Sequence, residues 1–264
     1  MSTVINLLEN SFSLHKYDVA VRIYDNVWSY DDLNYLSNTI ANFLLKNGIT
    51  KGDRVGILMN KSIYLYAAII GILRTGGIYV PLDIKMPPFR LSKLIEDIAP
   101  FCVFVDRFTV SHYKKCKEIL RQQLNTIFLD DTVSQDYEKI DFKSDMAQIV
   151  PYIDLSSEDL ALILFTSGST GIPKGVINTH GNLLKNVTLI IDTFKFSPGD
   201  KVSALNATAF SGSIMDIFLT FCSGATLCVY SEEVIFPKDI LELTYKYGIY
   251  KDDFGNILAE CHSK

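Results

Sequence analysis

The residue pattern predicts an α/β fold of mostly parallel sheets flanked by helices, arranged in two lobes. Three observations carry that expectation. Short apolar runs alternate with amphipathic helical runs, the order that yields a parallel sheet covered on both faces. The run Phe101 to Val105 has no polar position, as in a strand buried on both sides. Of 264 residues, 48% are hydrophobic and 21% are charged, enough apolar material for a large core, and this excludes a disordered chain.

The elements run in order along the chain. Ser29-Tyr30-Asp31-Asp32 opens a helix, with Ser29 as cap and two acids at its positive end. Leu33, Leu36, Ile40, Phe43 and Leu44 then share one helical face, and Gly48 ends the helix. Lys51-Gly52-Asp53 is a turn before a strand from Arg54 to Met59. The apolar run Ile63 to Leu73 predicts a buried helix, closed by Arg74 and broken by Gly76-Gly77. Ile78 to Val80 is a strand stopped by Pro81. Pro87-Pro88 starts a helix with Leu91, Leu94, Ile95 and Ile98 on one face. A helix from Tyr113 to Leu120 and a strand from Thr126 to Leu129 complete a first lobe over residues 1–130.

Residues 131–159 are polar and poorly periodic and predict a linker. A second lobe is expected over residues 160–249. It begins with the strand Leu160 to Phe165 and a loop rich in hydroxyls and glycine. A helix from Asn182 to Phe194, a strand from Val202 to Leu205 and a helix from Ser213 to Phe221 come next. A strand from Ala225 to Val229 and a helix from Pro237 to Tyr247 end the lobe. Residues 250–264 form a divergent tail in which Asp253-Phe254-Gly255-Asn256 suits a hairpin turn. Its Asp-Phe-Gly tripeptide lacks the other kinase motifs and carries no such meaning.

Several function classes are disfavoured by composition. Lys and Arg total 25 against 30 Asp and Glu, a net charge of −5, so no basic surface for nucleic acid is expected. The mean hydropathy of +0.18 is high. Yet the densest apolar run, Ile63 to Leu73, is shorter than the roughly 20 residues a membrane span needs. The amino terminus MSTVINLLENS has no basic region and carries Glu9, unlike a signal peptide, so a cytoplasmic protein is expected. Five cysteines without a CxxC pair predict single buried thiols in a reducing compartment, and Cys222 and Cys228 lack neighbouring metal-ligand types. Tyr64, Tyr66 and Tyr79 are expected in the core, and His180 is read as a structural residue at a helix start.

The segment that carries chemistry is Phe165-Thr166-Ser167-Gly168-Ser169-Thr170-Gly171-Ile172-Pro173-Lys174-Gly175. It comes after an apolar strand, so it emerges at the sheet edge where open α/β folds bind ligands. Gly168, Gly171 and Gly175 let backbone N–H groups approach an anion closely. Thr166, Ser167, Ser169 and Thr170 can donate to phosphate oxygens, and Lys174 adds a mobile positive charge. The composition suits a triphosphate or a pyrophosphate. It is not a Walker A loop, because Pro173 precedes Lys174 and Gly175 comes after it.

These residues resemble the signature of the adenylate-forming superfamily, which includes acyl-CoA synthetases, luciferases and nonribosomal peptide synthetase adenylation domains. Trp28 to Leu33 is similar to the first adenylation motif. Leu73 to Asp83 is similar to the second, and its Tyr79-Val80-Pro81-Leu82-Asp83 form resembles the peptide-synthetase branch. Leu160 to Gly175 matches the third, and Ala209 to Ser213 lies where the fourth belongs. Ser223 to Leu227 is similar to the segment just beyond that fourth motif in the family. The resemblance implies the large N-terminal domain of that fold, present in part. It implies a carboxylic acid substrate, Mg·ATP, an acyl-adenylate and transfer to a phosphopantetheine thiol on a carrier-protein domain. It implies that Thr166, Ser167, Gly168, Ser169, Thr170, Gly171 and Lys174 hold the ATP phosphates. Phe210, Ser211, Gly212 and Met215 are implied to line the acyl pocket.

The sequence also departs from the family pattern. Amino-acid-activating domains carry Phe-Asp in the fourth motif, the Asp holding the substrate's α-ammonium. Here Ser211 is next to Phe210. Losing a charge-assisted partner costs about 1.5–3 kcal/mol, so the expected substrate lacks an α-ammonium group, or the site is degraded. Asp216, an acidic position common in the family, is read as structural. The later Tyr-Gly-x-Thr-Glu and Tyr-x-Thr-Gly-Asp motifs and the C-terminal adenylation lysine are absent. The resemblance therefore implies an N-terminal part of an adenylation domain with weak or no adenylation by itself. Two alternatives stand beside it: a non-catalytic nucleotide-binding module that needs a partner, and part of an acyl-CoA synthetase. Tyr79 to Asp83 speaks against the latter.

Overall fold

The computed structural model describes residues 2–121, 123–130, 137–140, 142, 153–166 and 174–229. In chain order its elements are α1 (Val4–Leu14), β1 (Val19–Ile23), β2 (Asn26–Ser29), α2 (Tyr30–Lys46), β3 (Arg54–Leu58), α3 (Ile63–Arg74), β4 (Ile78–Pro81), α4 (Pro88–Ile98), β5 (Cys102–Val105), α5 (Val110–Lys117), β6 (Asn125–Phe128), β7 (Glu138–Lys139), β8 (Leu160–Thr166), β9 (Lys174–Thr179), α6 (His180–Phe194), β10 (Lys201–Ala204), α7 (Ser211–Ser223) and β11 (Thr226–Val229). The described residues form two units, one within residues 34–181 and one made of residues 2–33 and 182–229. The expected helix Pro237 to Tyr247 and the tail lie outside the described residues.

The first unit is built on a sheet with the order β7-β6-β5-β3-β4-β8-β9. All neighbours run parallel except β9, which returns antiparallel to β8. The sequence pattern places Leu160 to Phe165 at the start of a second lobe. In the structure this strand joins the same sheet, pairing Leu162 with Tyr79 of β4. Its apolar residues fit a strand covered on both faces, and β4 offers an open edge.

α3 is apolar on every side and buried along almost its whole length. It opens on Ser62, whose Oγ accepts from the Leu65 N–H at 3.2 Å. It crosses α2 at Gly71, where a Cβ would sit 2.8 Å from the Ser37 carbonyl oxygen. Arg74, read from sequence as the polar end of the run, is itself buried. Its guanidinium donates to Ser37 Oγ at 2.6 Å, Asn38 Oδ1 at 2.7 Å and Asn34 Oδ1 at 2.8 Å. A buried charge of this kind is stable only with such acceptors.

Strand order changes direction between β3 and β5, the point at which open α/β sheets leave a ligand crevice. Here Asp106 spans the gap. Its carboxylate accepts from the Asn60 N–H at 2.7 Å, the Phe108 N–H at 3.0 Å, and the Thr109 N–H and hydroxyl, each at 2.9 Å. Burial pushes its pKa up, against the pull of these bonds.

The second unit has a sheet with the order β10-β11-β1-β2, parallel except for β2. α1 opens on a capping box: the Asn6 N–H donates to Thr3 Oγ1 at 3.4 Å, and the Thr3 N–H donates to Asn6 Oδ1 at 2.8 Å. α2 opens on a second one, with the Ser29 N–H donating to Asp32 Oδ2 at 2.8 Å and the Asp32 N–H to Ser29 Oγ at 3.1 Å. The Trp28 to Leu33 motif has its structural reason in Tyr30. That side chain is fully buried, edge-on to Phe12 and Phe221. Its hydroxyl donates to Ala225 O at 2.7 Å and Thr220 O at 3.1 Å, satisfying carbonyls where α7 ends.

Candidate functional site

The hydroxyl- and glycine-rich segment joins β8 to β9. Register pairs Leu164 with Val176, Phe165 with Gly175 and Thr166 with Lys174. The two ends of the loop therefore face each other at the carboxyl end of a parallel strand. Thr166 and Lys174 are both exposed, and the Thr166 hydroxyl donates to Lys174 O across a long 3.4 Å. Ser167, Gly168, Ser169, Thr170 and Gly171 lie outside the described residues. Below the tip, Ile163 and Phe165 pack against the core of Leu58, Val80, Leu91 and Val103. β8 is thus seated in the unit, while Val176 and Ile177 of β9 remain 46% and 56% exposed.

The other end of this hairpin is tied down by residues that no sequence motif connects. Lys51 Nζ lies 2.7 Å from Asp159 Oδ2 and donates to Asp154 O at 3.1 Å. Slight desolvation works against the Asp159 carboxylate, but hydrogen bonds from Lys51 and Ser156 outweigh it and hold its pKa below the usual range. The His180 N–H donates to Asp159 O at 2.9 Å and the Gly181 N–H to Ser157 O at 2.8 Å. The His180 ring is fully buried, with no hydrogen-bond partner for either nitrogen among the described residues. Burial lowers its pKa to about 4, with Asp159 raising it and Lys51 lowering it further. The one local signal is Ser156-x-x-Asp159, whose Ser156 N–H donates to Asp159 at 2.6 Å.

The residues implied for an acyl pocket lie in the second unit. Phe210 is 62% exposed, Ser211 is exposed, and Gly212 and Met215 are half-buried. α7 begins at Ser211, before the predicted Ser213. The Ser213 hydroxyl turns back to donate to the carbonyl oxygens of Phe210 at 2.7 Å and Thr208 at 2.9 Å. Phe210 gives no side-chain cap, and the first turn carries no acidic residue. Asp216 is buried at 1% exposure and accepts from Asn206 Nδ2 at 3.4 Å.

Four cysteines of the described residues are free and buried. Burial pushes the Cys116 and Cys228 thiols up to about 11, and Cys102 and Cys222 higher still. They stay protonated at neutral pH and are poor nucleophiles or metal ligands. Among the described residues no three His, Cys, Asp or Glu side chains cluster as a metal site, and no helix is long and apolar enough to cross a membrane. Tyr66 and Tyr79 are core residues, whereas Tyr64 is only half-buried against Phe142.

The AMP-binding enzyme family model matches residues 8–250. The chain belongs to that family. It is 32% identical over 232 residues to the L-proline--(L-prolyl-carrier protein) ligase of Pseudomonas fluorescens, a match covering 87% of this chain and 45% of that protein. It is 32% identical over 223 residues to the nonribosomal peptide synthetase SIDC of Beauveria bassiana, covering 84% of this chain and 4% of that one. Among solved structures, the AMPPNP-bound form of the nonribosomal peptide synthetase FmoA3 superposes with a TM-score of 0.78 at 25% identity, over 94% of this chain and 25% of that one. A putative long-chain-fatty-acid CoA ligase from Rhodopseudomonas palustris superposes with a TM-score of 0.82 at 17% identity, over 95% and 62% of the two chains, and shows the fold alone. This AMP-binding chain thus spans less than half the length of the proline ligase it matches.

Proposed function

We propose that this chain takes part in activating a small carboxylic acid with ATP for transfer to a carrier protein. The observation that carries the proposal is the pairing of Thr166 with Lys174 at the carboxyl end of β8, inside a chain of AMP-binding type. The acid's carboxylate oxygen attacks the α-phosphorus of ATP, the bond from that phosphorus to pyrophosphate breaks, and an acyl-adenylate forms. Negative charge grows on the departing pyrophosphate. The Lys174 ammonium and the hydroxyls of Thr166, Ser167, Ser169 and Thr170, with the backbone N–H groups around Gly168 and Gly171, are the groups suited to hold it. Magnesium travels with the nucleotide, and no residue of the chain is assigned to it. A phosphopantetheine thiol of a carrier then takes the acyl group and AMP leaves. The peptide-synthetase relatives support a role in nonribosomal peptide or related synthesis in the cytoplasm, with no nucleic-acid or membrane partner.

The first turn of α7 supports a narrower acid class. With Ser211 there and no acidic residue in that turn, nothing in it offers a carboxylate to an α-ammonium group. A hydroxy, keto, aryl or fatty acid fits better. The test is acid-dependent ATP–pyrophosphate exchange across a panel of carboxylic acids. Weak exchange with acids that lack an α-ammonium, abolished in Lys174→Ala, is the expected result. Exchange driven best by α-amino acids overturns the acid class. ATP binding without exchange for any acid overturns the adenylation reading and leaves a nucleotide-binding module that works with a partner chain.

A further inference from the structure

We propose that Asn206 is a positioning residue that sets the acid selectivity of the Phe210–Met215 wall, an inference that rests on the acid-activation reading above. Asn206 stands in the loop between β10 and α7, outside the residues that the sequence resemblance singles out. Its side-chain amide lies directly over Gly212. A Cβ built there would be 2.7 Å from Asn206 Nδ2, 2.8 Å from Cγ and 3.2 Å from Oδ1. A side chain at position 212 would therefore require the Asn206 amide to shift. Asn206 Nδ2 also donates to Oδ2 of Asp216, one helical turn beyond Gly212. That bond is long, at 3.4 Å, and joins the amide to a carboxylate that is 1% exposed, while the amide bears on the first turn of α7 from the loop side.

The rest of the junction is closed by local bonds. The Phe210 N–H donates to Ala207 O at 2.9 Å and the Ser213 N–H to Phe210 O at 3.2 Å, and the Ser213 hydroxyl reaches Thr208 O and Phe210 O. These bonds fix the shape of the turn. Asn206, by packing on Gly212, fixes how far the strip Phe210-Ser211-Gly212 stands from the end of β10. Phe210 and Ser211 are the open face of that strip, so a shift of the strip moves the surface an acid would meet. The Asn206 side chain acts on the acid through Gly212 and is not a catalytic residue.

The experiment compares wild type, Asn206→Ala, Asn206→Gly, Gly212→Ala and the double variant Asn206→Gly/Gly212→Ala. It measures ATP–pyrophosphate exchange over the same acid panel and thermal unfolding of each protein. Asn206→Ala is expected to change the ranking of acids, with larger acids gaining about tenfold in kcat/KM against smaller ones. The KM for ATP should stay unchanged. Gly212→Ala alone should lower Tm, and adding Asn206→Gly should recover most of that loss, because the two changes share one contact. A uniform fall in rate across the panel, or Tm losses that simply add, overturns the assignment of Asn206 while the acid-activation reading stands. A wild-type chain that exchanges with no acid overturns both.

Discussion

The two ends of the β8–β9 hairpin are built on opposite principles. At the tip, Thr166 and Lys174 are exposed and joined by a side-chain bond of 3.4 Å. At the foot, a 2.7 Å ion pair, two short backbone bonds, a buried imidazole and a glycine packed on Ser157 hold the chain. The difference teaches where the stability of this hairpin resides. A loop proposed to meet phosphates needs donors left for the ligand, because a hydroxyl or ammonium bonded within the protein has to be released first. Among the described residues, the restraint on these two strands lies at their far end.

This contrast can be broken from the foot. A Cβ at Gly181 would lie 2.9 Å from both Cβ and the carbonyl oxygen of Ser157. Gly181→Ala should destabilise the protein by about 1–3 kcal/mol, seen as a lower urea midpoint, because one partner is backbone and cannot swing away. An unchanged midpoint would show that the foot is looser than its geometry.

The His180 imidazole gives a pH-dependent version of the same test. Its folded pKa of about 4 lies below the ordinary 6.5. Between those values the unfolded chain binds a proton that the folded chain refuses. The resulting contribution is fully present above pH 6.5 and is lost as pH falls towards 4, amounting to about 3 kcal/mol. Unfolding of His180→Gln, followed between pH 7 and 4, should lose that part of the slope, and an identical slope would place the acid sensitivity elsewhere.

A smaller effect is expected for Lys51→Met, which removes the ion pair to Asp159 and the bond to Asp154 O. Lys51 is 44% exposed and Asp159 22%, so water screens the pair and about 1 kcal/mol is expected. The loss should diminish in high salt. At the tip, Lys174→Ala should change stability by no more than about 0.5 kcal/mol, as for an exposed surface side chain. Its effect should emerge instead as weaker ATP binding in calorimetry. A large stability loss there would erase the distinction between tip and foot.

Much of the fold is legible in residue patterns. α3, α4 and the strands β3, β5 and β6 lie within a few residues of their expected places, since their apolar periodicity and flanking Gly, Pro and Ser are local signals. The elements β1, β2 and β9 have no such signal, whereas α1, outside the sequence expectation, does carry one in Val4, Leu8 and Phe12 at four-residue spacing behind the Thr3 cap. β1 and β2 are joined through Tyr24-Asp25 with Tyr24 at φ 52, a turn without the usual glycine. β9 carries four exposed residues and little alternation. Within the candidate site, Thr166 and Lys174 are recognisable because hydroxyls, glycines and a lysine are crowded into one loop. Lys51, Asp159 and Asn206 are not, because each acts on a residue distant in sequence or on a bare Cα.

The order of residues was sufficient for the α/β class, the family resemblance and the loop proposed to bind phosphate. All three rest on side chains a few positions apart, where helix period, strand period and motif spacing are set. Three dimensions were needed to put Leu160 to Thr166 beside β4, to bury Arg74 among three α2 side chains, and to show Tyr30 closing the end of α7. Those arrangements depend on which distant donors and acceptors meet once water is excluded. Local periodicity carries no information about that choice, since buried polar groups are satisfied by neighbours in space and not by neighbours along the chain.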